Sequence, residues 1–469
     1  MRVLLEKYWD ALWSSYWLIP MVLALLAFGG SYFLVWLDST ISPDWIERFP
    51  WLYQADVAGA REMLSTIAGS MITVAGVTFS ITIAAVGYAA SQFGPRLLLN
   101  FMRDRGNQAT LGVFIATFLY CLMVLRTVRV DEANITRVAE SAEVFIPHLA
   151  ILGAIVFAVA SIGFLIYFTH HIPESILAAN VIAGIGHELN ETIEKRFPGL
   201  LGQGGSSDEE YDPQEDIPDD FYDRTRRIHS TSRGYIQYID SNRLLRVAEK
   251  HDLLLRLHYR PGDFLNEGKV LVAAYPEEHV DDAVATSLRK CFVWGRRKTL
   301  TQDIIFLANE LIEMSMRALS PGINDPYTAI NCIDWLGSAL INLARKGVPS
   351  AFRYDTDGNL RVIARPITFG SFADTVFDEL RAAVTSSENA TLHMFRVMVD
   401  VAAELESEQN RAVLLRHAQS YRSVALSRLD DERVQHQLEG RYRVLVRLIN
   451  NPEDQREIVD DIEWTQGSS

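Results

Sequence analysis

Residues 63–93 read MLSTIAGSMITVAGVTFSITIAAVGYAASQF, with no Asp, Glu, Lys or Arg among them. At 1.5 Å per residue a helix over this stretch is about 46 Å long. A bilayer hydrocarbon core of about 30 Å needs only about 20 apolar helical residues, so this helix is expected to tilt or to project beyond the bilayer. Taken every three or four residues, the stretch gives Thr66, Ser70, Thr73, Val77, Ser80, Ala84, Gly87 and Ser91, all on one helix face. That face is small and hydroxyl-bearing. The other faces carry Ile67, Met71, Ile72, Val74, Phe79, Ile81 and Ile83. Two readings fit such a face. Small residues let helices pack closely in lipid, and hydroxyls hydrogen-bond across helices. Alternatively, the face lines a water-filled path in which hydroxyls replace part of an ion's hydration.

Working outward, three more stretches are apolar enough to span, at about 18–37, 109–127 and 144–168, with the second span at about 63–90. The first is too long for the core of a leader peptide, and no small-residue cleavage site follows it, so a retained span is expected. Trp9, Trp13, Tyr16 and Trp17 precede it, and Trp36, Trp45 and Trp51 follow. Trp and Tyr settle at headgroup depth, so these read as aromatic belts. No span carries Asp, Glu, Lys or Arg at its centre, which argues against the proton relay or coupling-ion site of a secondary transporter. Four spans put both termini on one side. Lys and Arg tie at five against five across the loops, so the positive-inside rule does not choose a side. A large acidic domain without an export signal is expected in the cytoplasm, and both termini with it. After the second span, Ser91-Gln-Phe-Gly-Pro-Arg96 breaks the helix and leads to Arg103 and Arg105. These arginines read either as an ordinary basic loop or as a contact for lipid headgroups or anions.

Mean hydropathy is only +0.06, because charge concentrates after residue 170 and offsets the apolar spans. The formal net charge of −15 disfavours a nucleic-acid partner, which needs a basic face. Nine acidic residues and no basic one lie within 207–223, inside an acidic flexible linker expected over 199–223. The expected organisation is a four-helix membrane domain over 1–171, a connecting helix over 172–198, the linker, a β-rich subdomain over 224–299 and a helical subdomain over 300–469. Gly234–Asp240, Asp252–Tyr259 and Lys269–Tyr275 read as strands. Gly262-Asp-Phe-Leu-Asn-Glu-Gly268 is similar to the hairpin of biotinyl- and lipoyl-like small barrels, although no lysine sits at the tip of a matching hairpin. The fold class expected is therefore an integral membrane protein, mainly α. It has four transmembrane helices, a cytoplasmic α+β domain with a small β-barrel-like patch, and C-terminal helices. Ser320-Pro-Gly-Ile-Asn-Asp-Pro326 separates two helical patterns. Asn324 and Asp325 read as a turn with a helix cap, or as a ligand-binding turn.

Cys121, Cys291 and Cys332 have no metal-site or disulfide-framework spacing. There is no Walker loop, dinucleotide fingerprint, nucleophile elbow, zinc spacing or calcium loop. No cofactor and no metal are expected, no catalytic residue is assigned, and an enzyme is the less economical reading. An enzyme acting on lipid would need paired titratable groups in a cavity near the arginine loop.

Several strings resemble a bacterial family of predicted membrane proteins catalogued as domain of unknown function 2254. They are Ala68–Ser80, Ser91–Arg96, Phe101-Met-Arg-Asp-Arg-Gly-Asn107, Gly234-Tyr-Ile-Gln237 and Ala318–Pro326. The resemblance implies four spans and a cytoplasmic domain in a bacterial inner membrane, and supplies no biochemical function. The expected role is a homo-oligomeric, channel-like assembly with the second span along its axis, its partners being the bilayer and copies of itself. The alternative is a membrane-anchored scaffold or sensor that binds a protein through its cytoplasmic domain.

Overall fold

The computed structural model describes residues 17–40, 57–94, 104–128, 146–196, 203–204, 217–298, 303–346 and 351–451. The chain forms two compact units, Met1–Asn180 and Val181–Ser469.

The first unit holds α1 (Leu18–Thr40), α2 (Val57–Phe93), α3 (Arg105–Thr127) and α4 (His148–Ile176). Each is long and apolar enough to cross a membrane. Trp17 and Trp36, near the two ends of α1, are exposed; the other belt aromatics lie outside the described residues. The central helix is α3, with 56% of its apolar stretch buried against 17–22% for the other three. Its neighbours approach closely because small residues meet at the crossings. A Cβ on Gly112 would lie 3.0 Å from the Pro20 Cα of α1. Gly153 of α4 makes room for Tyr120, whose hydroxyl donates to the Ala150 carbonyl at 2.8 Å. Ala60, Leu64 and Ala68 of α2 join Ala116, Tyr120 and Val124 of α3 in one core cluster, while Ala75 joins Leu111 and Phe114 in a second. Later residues of α2 thus meet earlier residues of α3, and the two helices run antiparallel. Pro147 precedes the first residue of α4. The open amides of Leu149 and Ala150 are capped from another helix, each donating to the Asp38 carboxylate of α1 at 2.9 Å.

The second unit contains most of α5 (Ala178–Arg196), and then strands, two short helices and a helical array. The connecting helix expected over 172–198 is two helices, because Leu177 leaves the helical conformation between α4 and α5. The strands are β1 (Gln203–Gly204), β2 (Arg226–His229), β3 (Gly234–Ile239), β4 (Leu254–Leu257), β5 (Phe264–Leu265), β6 (Val270–Tyr275), β7 (Phe292–Gly295), β8 (Phe352–Tyr354) and β9 (Leu360–Ile363). They form a six-stranded sheet in the order β1-β8-β9-β4-β6-β2 and a three-stranded sheet β5-β3-β7. Helices α6 (Ser241–Lys250) and α7 (Asp282–Arg289) bury Leu244, Ala248, Val284 and Leu288 against strand residues Leu255, Val272 and Ile236.

The barrel-like patch is corrected: neither sheet closes on itself. Gly262 and Gly268 do take positive φ values of 93° and 83°, as two tight turns require. The β5 strand between them is only two residues long and pairs with β3 alone, so it continues no barrel wall. The larger sheet instead recruits the downstream β8–β9 hairpin, with β9 parallel to β4.

The helical array comprises α8 (Ile304–Ala318), α9 (Pro326–Arg345), α10 (Phe369–Val384), α11 (Glu388–Ala402), α12 (Glu408–Leu426) and α13 (Glu432–Asn450). Each starts at a side-chain cap: Asp303, Asp325, Thr368, Ser387, Ser407 and Asp431. Such caps satisfy amides that a helix start leaves open. Tyr421, fully buried, donates to the Phe377 carbonyl at 2.9 Å and fastens α12 to α10.

Candidate functional site

All eight residues of the small, hydroxyl-bearing face of α2 are exposed in the chain: Thr66, Ser70, Thr73, Val77, Ser80, Ala84, Gly87 and Ser91. The residues that α2 turns inward are a different set: Ala60, Leu64, Ala68, Ala75, Thr78, Thr82 and Ala89. At roughly 100° per residue, the centres of the two sets are about 160° apart. The small face therefore does not pack α2 within its own bundle. Built Cβ atoms at Gly69, Gly76 and Gly87 meet nothing within 4 Å, so the flank of this face is also open.

Three of the five exposed hydroxyls bond back to their own helix. Thr73 donates to the Gly69 carbonyl at 2.8 Å, Ser80 to Gly76 at 2.9 Å, and Ser91 to Tyr88 at 2.7 Å. Back-bonding of this kind removes the donor that lipid cannot satisfy and leaves the oxygen's remaining lone-pair capacity outward. One regularity beyond the three-and-four spacing is present. Thr66, Thr73, Ser80 and Gly87 recur every seven residues, as do Ser70, Val77, Ala84 and Ser91. A seven-residue repeat keeps one seam facing a partner helix at a left-handed crossing of about 20°.

Of the three loop arginines, Arg96 and Arg103 lie outside the described residues. Arg105 is exposed on the first turn of α3. Next to it is an arrangement that sequence order did not reveal. Asp104 caps α3, accepting from the Gly106 amide at 2.8 Å, and its other oxygen lies 2.7 Å from His171 Nε2 on α4. Tyr167 stacks on His171 with ring centroids 4.9 Å apart. Gly106 is required there, since a Cβ would come 2.5 Å from the Tyr167 hydroxyl. Asn107, Gln108 and Thr110 follow, all buried. The local signal was available, as Asp is a favoured residue at the cap of a helix start. The partner on α4, 67 positions away, was not. The adjacent His170 and His171 diverge as helix geometry requires: His170 reaches Glu174 at 3.3 Å. Among the described residues, no three His, Cys, Asp or Glu side chains are grouped to hold a metal ion.

In the second unit, the turn at Asn324 and Asp325 is a helix–helix corner. Asn324 adopts φ +50° and its amide bonds the Ser320 carbonyl at 2.9 Å. Asp325 caps α9, accepting from the Thr328 amide at 3.1 Å and the Thr328 hydroxyl at 2.6 Å. Around this corner Met316, Ile323 and Tyr327 are exposed by 44%, 42% and 72%.

A groove of about 410 Å³ is lined by residues including Asp252, Tyr275, Asn359 and Arg361. Its charges face one another. Arg361 bonds Asp252 at 2.6 Å and Asp355 at 2.7 Å, and the Tyr275 hydroxyl donates to Asp220 at 2.9 Å. Burial alone would raise the Asp355 carboxyl. The hydrogen bonds from Arg361 and Asn359 outweigh it and hold that carboxyl at about 2.

A family described as "Predicted membrane protein (DUF2254)" matches residues 13–400. The chain is 29% identical over 356 residues to "Uncharacterized protein Rv1290c" of Mycobacterium tuberculosis and to "Uncharacterized protein Mb1321c" of Mycobacterium bovis. Each alignment covers 75% of this chain and 64% of the relative, so the chain spans less than two thirds of the relatives' length. No solved structure matches.

Proposed function

Because the chain belongs to the DUF2254 family of predicted membrane proteins, we propose that it is a multi-pass inner-membrane protein that assembles with copies of itself along α2. The assembly encloses a channel-like path, and the second unit is its cytoplasmic, regulatory part. One observation carries this reading. The hydroxyl- and glycine-bearing seam of α2 points away from the subunit's own core over its whole length from Thr66 to Ser91. A lipid-facing helix gains nothing from small polar residues at every turn, whereas a helix facing other copies, or water, does. A single four-helix subunit encloses little space, so the path belongs to the assembly. The purified protein in liposomes should conduct ions and run as a defined oligomer in nanodiscs. Thr73→Leu with Ser80→Leu should abolish the flux. Unchanged flux in that variant removes α2 from the path.

The exposed Met316, Ile323 and Tyr327 at the α8–α9 corner favour a second reading, in which the second unit binds a protein partner and the membrane unit anchors it. No flux at any ion or pH, with stable copurification of another protein that Tyr327→Glu abolishes, selects that reading.

A further inference from the structure

The inner side of α2 carries its own polar residues, independently of the seam on its outer side. On α3, Asn107, Leu111 and Phe114 fall at i, i+4 and i+7, a single stripe. Leu111 and Phe114 of that stripe pack with Ala75, Met71 and Val74 of α2. The helices are antiparallel, so the turn before Leu111 on α3 lies level with the turns after Ala75 on α2. Those turns present Thr78 and Thr82, 3% and 5% exposed. Asn107 is 3% exposed, and among the described residues neither its Nδ2 nor its Oδ1 has a hydrogen-bond partner. Leaving both ends of a buried carboxamide unbonded is unfavourable in any interior, and lipid supplies no substitute. Two hydroxyls on these turns have placed their protons: Thr82 donates to the Thr78 carbonyl at 2.9 Å and Thr110 to the Gly106 carbonyl at 2.8 Å. Their oxygens keep capacity to accept.

We propose that Asn107, Thr78 and Thr82 form an internal binding site between α2 and α3 for a small uncharged molecule that both donates and accepts hydrogen bonds, and that its occupant is water. The carboxamide presents one donor group and one acceptor, a pair that one or two waters answer with their usual two to four bonds. A cation would find acceptor oxygens but no buried anionic side chain among the described residues of this unit to balance its charge. An anion would find no buried cationic side chain among the described residues of this unit, whose buried polar groups are all uncharged. The Asp104 carboxylate, at the cap of α3, is already held by Gly106 and His171. Further along α3 the hydrated zone ends where Thr117 and Ser161 bond each other directly at 2.9 Å. Beyond them Tyr120 packs on Phe157 in an alanine-rich core.

Two aromatic residues of α3 make this testable without a variant. Phe114 and Tyr120 are both fully buried in the subunit, but only Phe114 shares the Asn107 stripe. Radiolytic hydroxyl-radical labelling of the full-length protein in nanodiscs reads water bound beside a buried ring. Phe114 should be oxidised several-fold faster than Tyr120. Asn107→Leu should bring Phe114 down to the Tyr120 level, and Asn107→Ser, which keeps a donor and an acceptor, should retain labelling. Phe114 as silent as Tyr120 in the unaltered protein overturns the site. Labelling that persists in Asn107→Leu overturns the role of Asn107. Neither result bears on the outward face of α2, so failure of the channel reading and failure of this site are separately visible.

Discussion

His171 Nε2 lies 2.7 Å from Asp104 Oδ2 and ties the last turns of α4 to the first turn of α3 across 67 positions of sequence. The same carboxylate caps α3 through the Gly106 amide. Asp104→Ala removes both interactions and should lower stability by about 1–2 kcal/mol, the usual cost of a lost cap. Asp104→Asn keeps a capping oxygen and should cost less. Thermal unfolding in nanodiscs ranks the two, and equal losses would mean that the cap contributes nothing.

The outward seam of α2 predicts a pattern of disulfides between subunits. Thr73→Cys, Ser80→Cys and Gly87→Cys, on the exposed face, should each give oxidised dimers in membranes. Thr78→Cys and Thr82→Cys, on the buried face, should not. Equal crosslinking from both faces would rule out a specific α2 interface.

Gly186 of α5 lies against Trp335 of α9, where a Cβ would come within 2.2 Å of the indole. Gly186→Ala should destabilise the second unit by about 1–3 kcal/mol, the range for overpacking a filled site. Denaturant unfolding followed by Trp335 fluorescence is the measurement, and an unchanged midpoint would show that the indole moves aside freely.

Asp355 is held at about 2 against an ordinary value of 3.8. A carboxyl depressed on folding contributes stability that is complete above its unfolded pKa and is lost as pH falls through the folded one. Asp355→Asn should therefore lower the unfolding temperature at neutral pH, and the difference from the unaltered protein should close between about pH 4 and pH 2. A constant difference across that range would assign the effect to packing rather than to the Arg361 and Asn359 bonds.

At the α8–α9 corner, Asp325→Ala should cost about 1 kcal/mol through the lost cap of α9. Asn324→Gly should be neutral or slightly stabilising, since φ +50° suits glycine. If Asn324→Gly instead abolishes partner binding or flux with stability intact, the turn has a role beyond its geometry.

Hydropathy, caps and turns are properties of short stretches, and they were legible without any structure. Long uncharged runs name four helices long and apolar enough to cross a membrane, because a helix satisfies its own backbone groups over that length. Asp325-Pro326 names a helix start because the capping chemistry is local. The side of α2 that meets its own bundle was not legible. Its inward set of alanine, leucine and threonine and its outward set of serine, threonine and glycine are both uncharged and mostly small, and hydropathy cannot rank them. Only packing against α3 decides, with Leu64 and Ala75 turned inward and Thr73 and Ser80 left outside. The pairing of β9 with β4, the Asp104–His171 bond and the burial of Asn107 are likewise tertiary. Each depends on residues distant in the chain, whose meeting is set by how whole helices and strands pack rather than by the preferences of any one segment.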